Sequence, residues 1–446
     1  MFSSQLDKVR HPLASRSRGI VLGSIMMIAA AAALVSARTV AFTFWIAVAG
    51  FLIAAACRRD IDVKQLQPGP VALSLGAFLL YALLSATWAA LPAVPLEKAS
   101  VALLAAAGTL LLVTLIQMET RPNLVHMGEG IYIGLLVGVL YLFVELVSDQ
   151  AIKLWLYRAL ELRPGDLTPP EYFRWDGPYL FAISREDLTR NMTDAALFLW
   201  PTVMAIKGVW RRSWHRIGAA ALVTLTVIVV MASYHASSKL ALVAGLAAFA
   251  LARLSLRWAG RIIAFAWVTA CLAVIPLVLL AYNLDLHHST WLEPSARHRV
   301  IIWNFTAEKT LEAPWLGIGA NMTYVLGPEL EDQSPDPSAE ALKRTLSIHS
   351  HSIYLQTWFE LGLFGAVLLT LVGLSILGAI RSLTPRLQAY AYAAFASAAA
   401  MAASSYGMWQ AWFMASFGLC AALFALGAQC MSTAKCAGEV SPQSRG

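Results

Sequence analysis

The sequence predicts an all-α membrane protein, a polytopic transmembrane helical bundle of about 12 spans with helical loops on one face. Hydrophobic residues make up 59% of the 446-residue chain and charged residues only 13%. Soluble domains carry about a quarter charged residues, so this composition excludes an ordinary soluble fold. Apolar runs of about 17 to 23 residues recur along the whole chain, and such a run crosses roughly 30 Å of hydrocarbon as a helix.

Each long apolar run is interpreted as one span. The first run follows a basic leader and ends at Val35-Ser36-Ala37, which is similar to a signal-peptide cleavage site. Because a second run begins almost at once, we expect the first to remain in the protein as one arm of a helical hairpin. The 12 predicted spans are residues 19–37, 39–57, 70–91, 99–117, 127–147, 191–206, 217–234, 240–254, 262–282, 353–380, 387–405 and 408–430.

The distribution of Lys and Arg between the spans predicts the orientation of the chain. Short segments on one side are rich in these residues, whereas the opposite short loops hold little more than Arg38, Lys98 and Lys239. Positively charged loops remain in the cytosol, so we expect both termini to lie there.

This orientation places two long loops on the outer face. The first long loop covers about residues 148–190, and the second long loop covers residues 283–352. The chain then divides into residues 1–282, with nine spans and the first long loop, the second long loop itself, and residues 353–446, with three spans and a cytosolic tail.

The second long loop is predicted to contain a helix near residues 295–311, with Ser295 as its N-cap and Pro314 beyond its end. An acidic, proline-containing stretch follows at residues 329–340 and includes Glu331-Asp332. The acidic pairs of these loops lack the Asp-x-Asp form typical of metal-dependent sugar transfer. We therefore expect no metal ion.

Charge and cysteine content narrow the function classes further. The net charge is +7, but the basic residues lie between apolar runs, so nucleic acid is not an expected partner. The five cysteines show neither a disulfide framework nor metal-ligand spacing. The chain has no P-loop and no glycine-rich nucleotide motif. Any substrate must therefore reach the outer face already activated.

Two histidines lie where the second long loop re-enters the membrane. His349 and His351 precede Glu360, Gly362 and Gly365, and imidazole suits general-base catalysis near neutral pH. Gly362 and Gly365 would let another backbone approach the helix closely. The alternative is that the two histidines are polar anchors at the membrane interface.

Cations on the outer face form the second group of candidates. Arg297 and Arg299 lie on the predicted loop helix, Lys239 lies in a short outer turn, and Arg190 ends the first long loop. Guanidinium grips phosphate through paired hydrogen bonds, so these residues suit a phosphate or pyrophosphate ligand. Contacts with lipid headgroups or local salt bridges are the alternative.

Acidic side chains in or near the spans are functional candidates by default, because an ionisable group is costly inside a membrane. Glu145 lies within a predicted span, and Asp194 and Glu360 lie near the ends of two others. The alternative is that Glu145 lies near the outer interface, where an ionisable side chain is less costly and needs no functional role.

The ordered set of motifs resembles the superfamily of bacterial O-antigen ligases and polymerases. The resemblance rests on Arg299-Val-Ile-Ile-Trp303, Ala313-Pro-Trp-Leu-Gly-Ile-Gly319, His351-Ser-Ile-Tyr-Leu-Gln356 and Glu360-Leu-Gly-Leu-Phe-Gly365. The family often has Ser-Arg in an earlier outer turn, where this chain has Ser238-Lys239. The family histidine is commonly followed by Asn, and here Ser352 takes that place.

The resemblance implies a glycosyltransferase of the bacterial inner membrane, with its active site on the periplasmic face. It implies an O-antigen ligase that transfers polysaccharide from undecaprenyl pyrophosphate to lipid A-core, with inversion and with no metal or cofactor. The implied base is His351, and the implied pyrophosphate contacts are Arg299, Lys239, Arg297 and Arg190. Four further residues support the motif, namely His349, Glu360, Gly362 and Gly365.

Three alternatives remain from the sequence. An O-antigen polymerase shares the donor chemistry but uses a second lipid-linked glycan as acceptor, and a protein-glycosylating oligosaccharyltransferase belongs to the same superfamily. A flippase or transporter of lipid-linked glycans also explains about a dozen spans, although it predicts charged groups along a path through the membrane.

Overall fold

A computed structural model describes residues 3–57, 67–163, 170–210, 212–327, 329–330 and 348–438. These residues form 16 α-helices and one two-stranded sheet, which confirms the predicted all-α class. The acidic stretch that includes Glu331 and Asp332 lies outside the described residues.

The elements follow one another along the chain. The helices are α1 (Ser3–Val35), α2 (Val40–Ala56), α3 (Pro70–Leu84), α4 (Ala93–Gln117), α5 (Arg121–Val147), α6 (Ala151–Ala159), α7 (Thr189–Val209), α8 (Arg212–Ala232), α9 (Ala236–Leu254), α10 (Leu256–Leu272), α11 (Val274–Asn283), α12 (Pro294–Thr310), α13 (Met322–Leu326), α14 (Ile353–Ser382), α15 (Pro385–Ser404) and α16 (Ala411–Gly438). The strands are β1 (Phe173–Asp176) and β2 (Tyr179–Ile183).

Each predicted span coincides with one of these helices, except residues 262–282, which cover both α10 and α11. Among the described residues, nine helices are long and apolar enough to cross a membrane, and a tenth span results if α10 and α11, bent by 77°, count as one. The remaining two predicted spans correspond to α7 and α15. Residues 191–206 of α7 are all buried, so this helix is enclosed by protein and needs less apolar character than a lipid-facing span.

The chain forms two compact units. The first comprises Met1–Leu66, Leu111–Val243 and Ala415–Gly446. In this unit α1 packs along α5 through glycines spaced by four residues. A Cβ added to Gly130 would lie 2.2 Å from the carbonyl oxygen of Gly23, and one added to Gly134 would lie 2.3 Å from that of Met27. Small residues at this spacing let two membrane helices touch through their backbones.

The first long loop is mixed in structure. It contains α6 and a hairpin in which β1 pairs antiparallel with β2, a feature that the sequence analysis did not predict. Phe173, Leu180 and Ile183 form a small buried cluster on one side of this hairpin. Exposed hairpins of two strands need such a cluster, because two strands alone are marginally stable in water.

The second unit comprises Gln67–Leu110 and Ala244–Met414. Its central element is α14, which packs against α3, α10 and α15. Trp267 of α10 crosses onto α14, where its indole N–H donates to the carbonyl of Thr370 at 3.1 Å and its ring lies against Gly373. This unit holds most of the predicted site residues.

The helix of the second long loop begins earlier than predicted. Its N-cap is Glu293, and Pro294 occupies the first helical position, so the prediction of Ser295 as N-cap was wrong. Proline is favoured there because its φ is already helical and its missing N–H would have no partner within the helix. The helix ends at Thr310, ahead of Ala313-Pro314.

α14 is broken at Gly362, which adopts φ 62° and ψ −162° inside an otherwise helical segment. The backbone groups freed by this break bond to the loop after α12. The N–H groups of Ile318 and Gly319 donate to the carbonyls of Phe359 (3.2 Å) and Glu360 (2.7 Å). In return, Leu363 N–H donates to the carbonyl of Pro314 at 2.8 Å. Irregular backbone at membrane depth is tolerated when neighbouring protein satisfies it in this way.

Glycines make this interlock possible. A Cβ on Gly362 would lie 2.2 Å from the carbonyl oxygen of Trp315, and a Cβ on Gly317 would lie 2.4 Å from the carbonyl carbon of Glu360. The close backbone approach predicted from the sequence therefore occurs at Gly362. At Gly365 the nearest atoms are side chains of Leu361 and Thr357 from the same helix, so the prediction for Gly365 was wrong.

Candidate active site

His351 lies in the turn that leads into α14. Its backbone has φ 54°, a left-handed conformation that a residue with a side chain rarely adopts. Nδ1 of the ring lies 3.0 Å from the backbone carbonyl oxygen of Ser405, in the connection between α15 and α16. A carbonyl can only accept, so Nδ1 carries the proton. The neutral ring therefore keeps its lone pair on Nε2.

His349 lies beside His351, with ring centroids 4.2 Å apart and the rings at 73°. His349 is buried and packs against Gly407. A Cβ added to Gly407 would lie 3.0 Å from the Cβ of His349. Its Nδ1 accepts the backbone N–H of His351 at 3.3 Å. The lone pair of this imidazole is thus directed at the backbone, whereas that of His351 is not.

α12 is anchored beside this turn by Trp303. The indole N–H donates to the carbonyl oxygen of Ser350 at 2.8 Å. Arg299 lies four residues earlier on the same helix, and residues at this spacing share one face. The contact at Ser350 therefore brings the face of α12 that carries Arg299 toward the histidine turn.

The electrostatics confirm that these groups are neighbours. Burial lowers the pKa of His351 well below its ordinary value, and the positive potentials of His349 and Arg299 lower it further. Burial together with Arg299 also lowers the pKa of His298. Burial lowers the pKa of Arg299, while Tyr406 and Glu293 raise it. Guanidinium remains protonated in proteins, so the site holds a fixed cation beside a neutral histidine.

Arg299 and Arg297 both have unused donors. Neither makes a hydrogen bond or a close ion pair with any residue that the structure describes, and Nε of Arg297 is buried. Each guanidinium offers five N–H donors in a planar fork. Residues two apart on a helix point in different directions, so the two forks do not act as one clamp. Of the pair, Arg299 is the one that influences His351.

Glu360 is fully buried within the broken α14. Its carboxylate accepts the backbone N–H of Asn321 at 2.9 Å, the amide of Gln356 at 3.0 Å and the indole N–H of Trp409. These donors come from the loop before α13, from α14 itself and from the connection to α16. Glu360 thus holds three segments together beneath the histidine turn. This arrangement suits a positioning residue, because its oxygens are already engaged.

Ser352 occupies the N-cap position of α14 with extended backbone angles. Its side chain makes no capping hydrogen bond to the helix, although Ser and Asn are both favoured at N-caps.

Lys239 belongs to the first unit and lies in the first turn of α9. The turn before it is buried and polar: Nδ1 of His235 and the hydroxyl of Ser238 are 2.6 Å apart, and the N–H of Lys239 donates to the carbonyl of His235 at 3.3 Å. A cation at the start of a helix opposes the helix dipole. An anion bound at this turn would be stabilised both by the charge of Lys239 and by the dipole of α9.

Arg190 also belongs to the first unit, at the start of α7. It lies near Lys153, whose pKa is lowered to about 8, chiefly by burial. Lys153 pairs with Asp187, and its backbone N–H donates to the buried carboxylate of Glu145 at 2.9 Å. Arg190 and Glu145 are therefore members of one polar cluster in this unit.

Among the described residues, one group of three side chains offers metal-ligand atoms within 4.8 Å of one another, namely Asp285, His287 and His288. It follows α11, and Asp285 forms ion pairs with both histidines. His287 stacks on Tyr282 with ring centroids 4.3 Å apart.

Three contributors to the site were missed from the sequence: Ser405, Tyr406 and His298. Ser405 and Tyr406 lie 54 and 55 positions after His351 and belong to no motif. Their signal was the polar run Ser404-Ser405-Tyr406 at the end of the predicted span 387–405, which the predicted topology places on the same face as His351. His298 lies between the two predicted arginines but was not considered.

Comparison with known proteins gives a family for part of the chain. Residues 219–370 match the O-antigen ligase family model. This region includes Lys239, Arg299, His351 and Glu360, whereas Arg190 lies outside it. The match confirms the resemblance to the O-antigen ligase superfamily that the motifs indicated.

Three relatives from Rickettsia carry the provisional name polysaccharide ligase. The protein from Rickettsia conorii is 34% identical over 126 residues, which are 28% of this chain and 30% of the relative. The protein from Rickettsia typhi is 30% identical over 174 residues, 38% of this chain and 42% of the relative. The protein from Rickettsia prowazekii is 33% identical over 127 residues, 28% and 30% of the two chains. The alignments thus span less than half of each relative. The helices identify a multi-pass membrane protein, in which residues 219–370 match the O-antigen ligase family model.

Proposed function

We propose that this protein is an O-antigen ligase that transfers polysaccharide from undecaprenyl pyrophosphate to lipid A-core at the periplasmic face of the bacterial inner membrane. The observation that carries the proposal is the pairing, in one unit, of a neutral His351 with the guanidinium of Arg299, which makes no hydrogen bond to the part of the chain that the structure describes. Transfer from a pyrophosphate needs a base for the acceptor and a cation for the leaving group. The match of residues 219–370 to the O-antigen ligase family model supports a ligase-type function.

His351 is the proposed base, in preference to His349. The hydrogen bond from Nδ1 to Ser405 leaves Nε2 of His351 as a proton acceptor, whereas Nδ1 of His349 already accepts a backbone N–H. His351 is also the more exposed of the two side chains. Its lowered pKa keeps it unprotonated at neutral pH, which is the form that a general base requires.

Arg299 is the proposed main contact for the pyrophosphate. Its fork can bind two phosphate oxygens at once, and its burial strengthens that attraction compared with an exposed side chain. Lys239 is the second proposed contact, since an anion at its turn would also be stabilised by the dipole of α9. Arg297 and Arg190 are proposed as further contacts with the phosphates or sugars of the donor.

The proposed step is one displacement at the anomeric carbon. The acceptor hydroxyl of lipid A-core attacks that carbon and gives its proton to Nε2 of His351. The bond between the anomeric carbon and the pyrophosphate oxygen breaks, and undecaprenyl pyrophosphate leaves with the electron pair. Attack opposite the leaving group inverts the anomeric configuration. Fixed cations stabilise the growing negative charge, which is commonly a large contribution to catalysis.

Reconstitution tests the proposal directly. The protein, in vesicles with undecaprenyl-pyrophosphate-linked O-antigen and lipid A-core but without ATP, should produce lipid A-core that carries polysaccharide. An O-antigen polymerase would lengthen the donor glycan without using lipid A-core. A flippase would move donor across the bilayer and form no product. Either result would overturn the ligase proposal.

A deletion strain gives an independent test in cells. Loss of a ligase should leave bare lipid A-core, with polymerised glycan accumulating on the carrier lipid. Lipid A-core capped with a single repeat unit would instead identify a polymerase. Normal lipopolysaccharide together with unglycosylated protein would identify an oligosaccharyltransferase.

A further inference from the structure

A second basic site lies in the same unit as the candidate active site, at the other end of α14. A cavity of about 320 Å³ is lined by Leu256, Arg257, Arg261, Arg381, Gln388 and Tyr392. Arg381 lies in the last turn of α14, whereas His351 immediately precedes its start. The helix from Gly362 to Arg381 is roughly 28 Å long at 1.5 Å per residue, which is close to the thickness of the hydrocarbon core.

The three arginines of this cavity have no acidic counterpart nearby in the chain. No Asp or Glu occurs from residue 254 to residue 284 or from residue 361 to residue 438, which covers α10, α11, α15 and all of α14 after Glu360. Three guanidiniums therefore share one cavity without a carboxylate on the helices that form it. Such an arrangement is electrostatically unfavourable until an anion binds.

The cavity is open and its three arginines are exposed, but hydrogen bonds and close packing fix the helices around it. The amide of Gln388 donates to the carbonyls of Arg381 (3.2 Å) and Leu383 (2.8 Å), which fixes the start of α15 to the end of α14. Tyr392 is buried, and a Cβ on Gly260 would lie 2.6 Å from its hydroxyl oxygen. α10 begins at Leu256 and α15 at Pro385, so two positive helix ends lie beside the arginines.

The donors of the arginines are largely unused. Arg257 makes no hydrogen bond or ion pair with any part of the chain that the structure describes. Arg261 lies over the ring of Trp258, 5.4 Å from its centroid, and Arg381 donates weakly to the carbonyl of Gly260 at 3.4 Å. Most of their N–H groups thus remain available for phosphate oxygens.

Apolar side chains beside the cavity indicate the source of the anion. Trp258 and Ile262 are 56% and 49% exposed and lie four residues apart on α10, so they form a short apolar stripe on one face of that helix, and Leu254 at the end of α9 is 85% exposed. In a membrane this stripe meets acyl chains, with Trp258 at the interface where tryptophan is enriched. A headgroup attached to acyl chains matches both features, whereas free phosphate matches only the arginines.

We propose that this cavity binds the phosphate headgroup of an anionic phospholipid. The Lys and Arg distribution predicts that this end of α14 lies at the cytosolic leaflet, whose anionic lipids attract basic pockets between membrane helices. The bound lipid would fill the gap between α10, α14 and α15 and offset the repulsion among the arginines. This site is independent of the glycan transfer proposed above.

Lipid retention tests the proposal. The intact protein is purified in mild detergent, mixed with phosphatidylglycerol or phosphatidylcholine, and analysed by native mass spectrometry. Wild type should retain phosphatidylglycerol and not phosphatidylcholine. The double variant Arg257→Gln, Arg261→Gln should retain about tenfold less phosphatidylglycerol, because each arginine near an anionic headgroup adds to its affinity. Arg253→Gln makes the same type of charge change outside the cavity and should bind like wild type.

Two additions make the result decisive. Inorganic phosphate at millimolar concentration should not displace the lipid, and efficient displacement would assign the cavity to free phosphate. A photoactivatable phosphatidylglycerol, which needs no variant, should cross-link wild type within residues 254–262. Equal retention by wild type and the double variant, equal binding of both lipids, or cross-links confined to other helices would overturn the proposal.

Discussion

The backbone carbonyl oxygen of Ser405 lies 3.0 Å from Nδ1 of His351 and so fixes which ring nitrogen carries the proton. The contact joins the turn before α14 to the connection between α15 and α16. A main-chain acceptor cannot be lost by substitution of its side chain, so the orientation of the imidazole is set by the fold. The predictions for this site follow from that arrangement.

His351→Ala should abolish glycan transfer while the protein still folds. Removal of a general base costs roughly 10²- to 10⁴-fold in rate. The measurement is the rate of product formation in the reconstituted system, with thermal stability of the purified variant as the check on folding. His349→Ala is the comparison and should retain more activity, because its lone pair is directed at a backbone N–H. Activity in the first variant and none in the second would reverse the assignment.

Arg299→Lys should raise the KM for the lipid-linked donor and lower kcat by roughly tenfold or more, because a paired hydrogen bond to phosphate is lost although the charge remains. Steady-state kinetics with the purified donor measure both constants. Arg297→Lys is the companion variant on the same helix and should raise the KM less, because Arg297 is proposed only as a further contact and Arg299 is the arginine that lowers the pKa of His351. Unchanged kinetics in the Arg299 variant would exclude bidentate binding there.

The pH dependence of transfer should reflect the neighbours of His351. Its folded pKa lies below the ordinary histidine value, so the base stays neutral and active as pH falls past that value and is protonated only at lower pH. Arg299→Gln removes one of the positive charges that lower this pKa. The acid limb of its residual activity should therefore move to higher pH than in wild type. An acid limb that stays in place would show that another group controls it.

Much of the fold was predictable because apolar runs of membrane length carry a strong signal, and the predicted spans coincide with helices, although residues 262–282 cover α10 and α11 with a bend of 77° between them. The break at Gly362 was not predictable, since the residues on both sides of it are apolar and look like one continuous span. His351 and Arg299 were found because polar residues next to membrane spans stand out. Ser405 contributes only its carbonyl group, and a main-chain contact across 54 residues leaves no mark on the sequence. Glu360 was noticed as an acid, but its bonds to Asn321 and Trp409 became visible only in the structure.

Metal chelation should leave transfer intact. Arginine and lysine are proposed to stabilise the leaving pyrophosphate, so no divalent ion is required for that step. The assay compares initial rates with and without EDTA, and with added Mg²⁺ or Zn²⁺. Asp285→Asn is the informative companion, because Asp285 belongs to the one group of potential metal ligands among the described residues. If EDTA strongly lowers the rate of wild type, added metal restores it, and Asp285→Asn shows the same low rate without EDTA, a metal ion bound at that group is required for transfer.

Gly362→Ala should destabilise the protein far more than Gly378→Ala, a substitution elsewhere in α14. The backbone of Gly362, with φ 62° and ψ −162°, lies in a region that is essentially restricted to glycine. The added Cβ would also lie 2.2 Å from the carbonyl oxygen of Trp315, so the loop that bonds to the broken helix must move. Backbone strain and overpacking each cost about 1–3 kcal/mol, and together they are large compared with typical net stabilities.

Gly378→Ala supplies the matched control for this prediction. It lies on the same helix, with no other atom within 4 Å of an added Cβ, and alanine is the better helix former by about 1 kcal/mol. Thermal unfolding of the detergent-solubilised protein, monitored by size-exclusion chromatography, should give Gly378→Ala a Tm equal to or slightly above that of wild type. For Gly362→Ala it should show a strongly lowered Tm or aggregation. Equal Tm values for the two variants would mean that the interlock between α14 and the loop after α12 contributes little to stability, and Glu360 would then lack the rigid frame that its proposed positioning role requires.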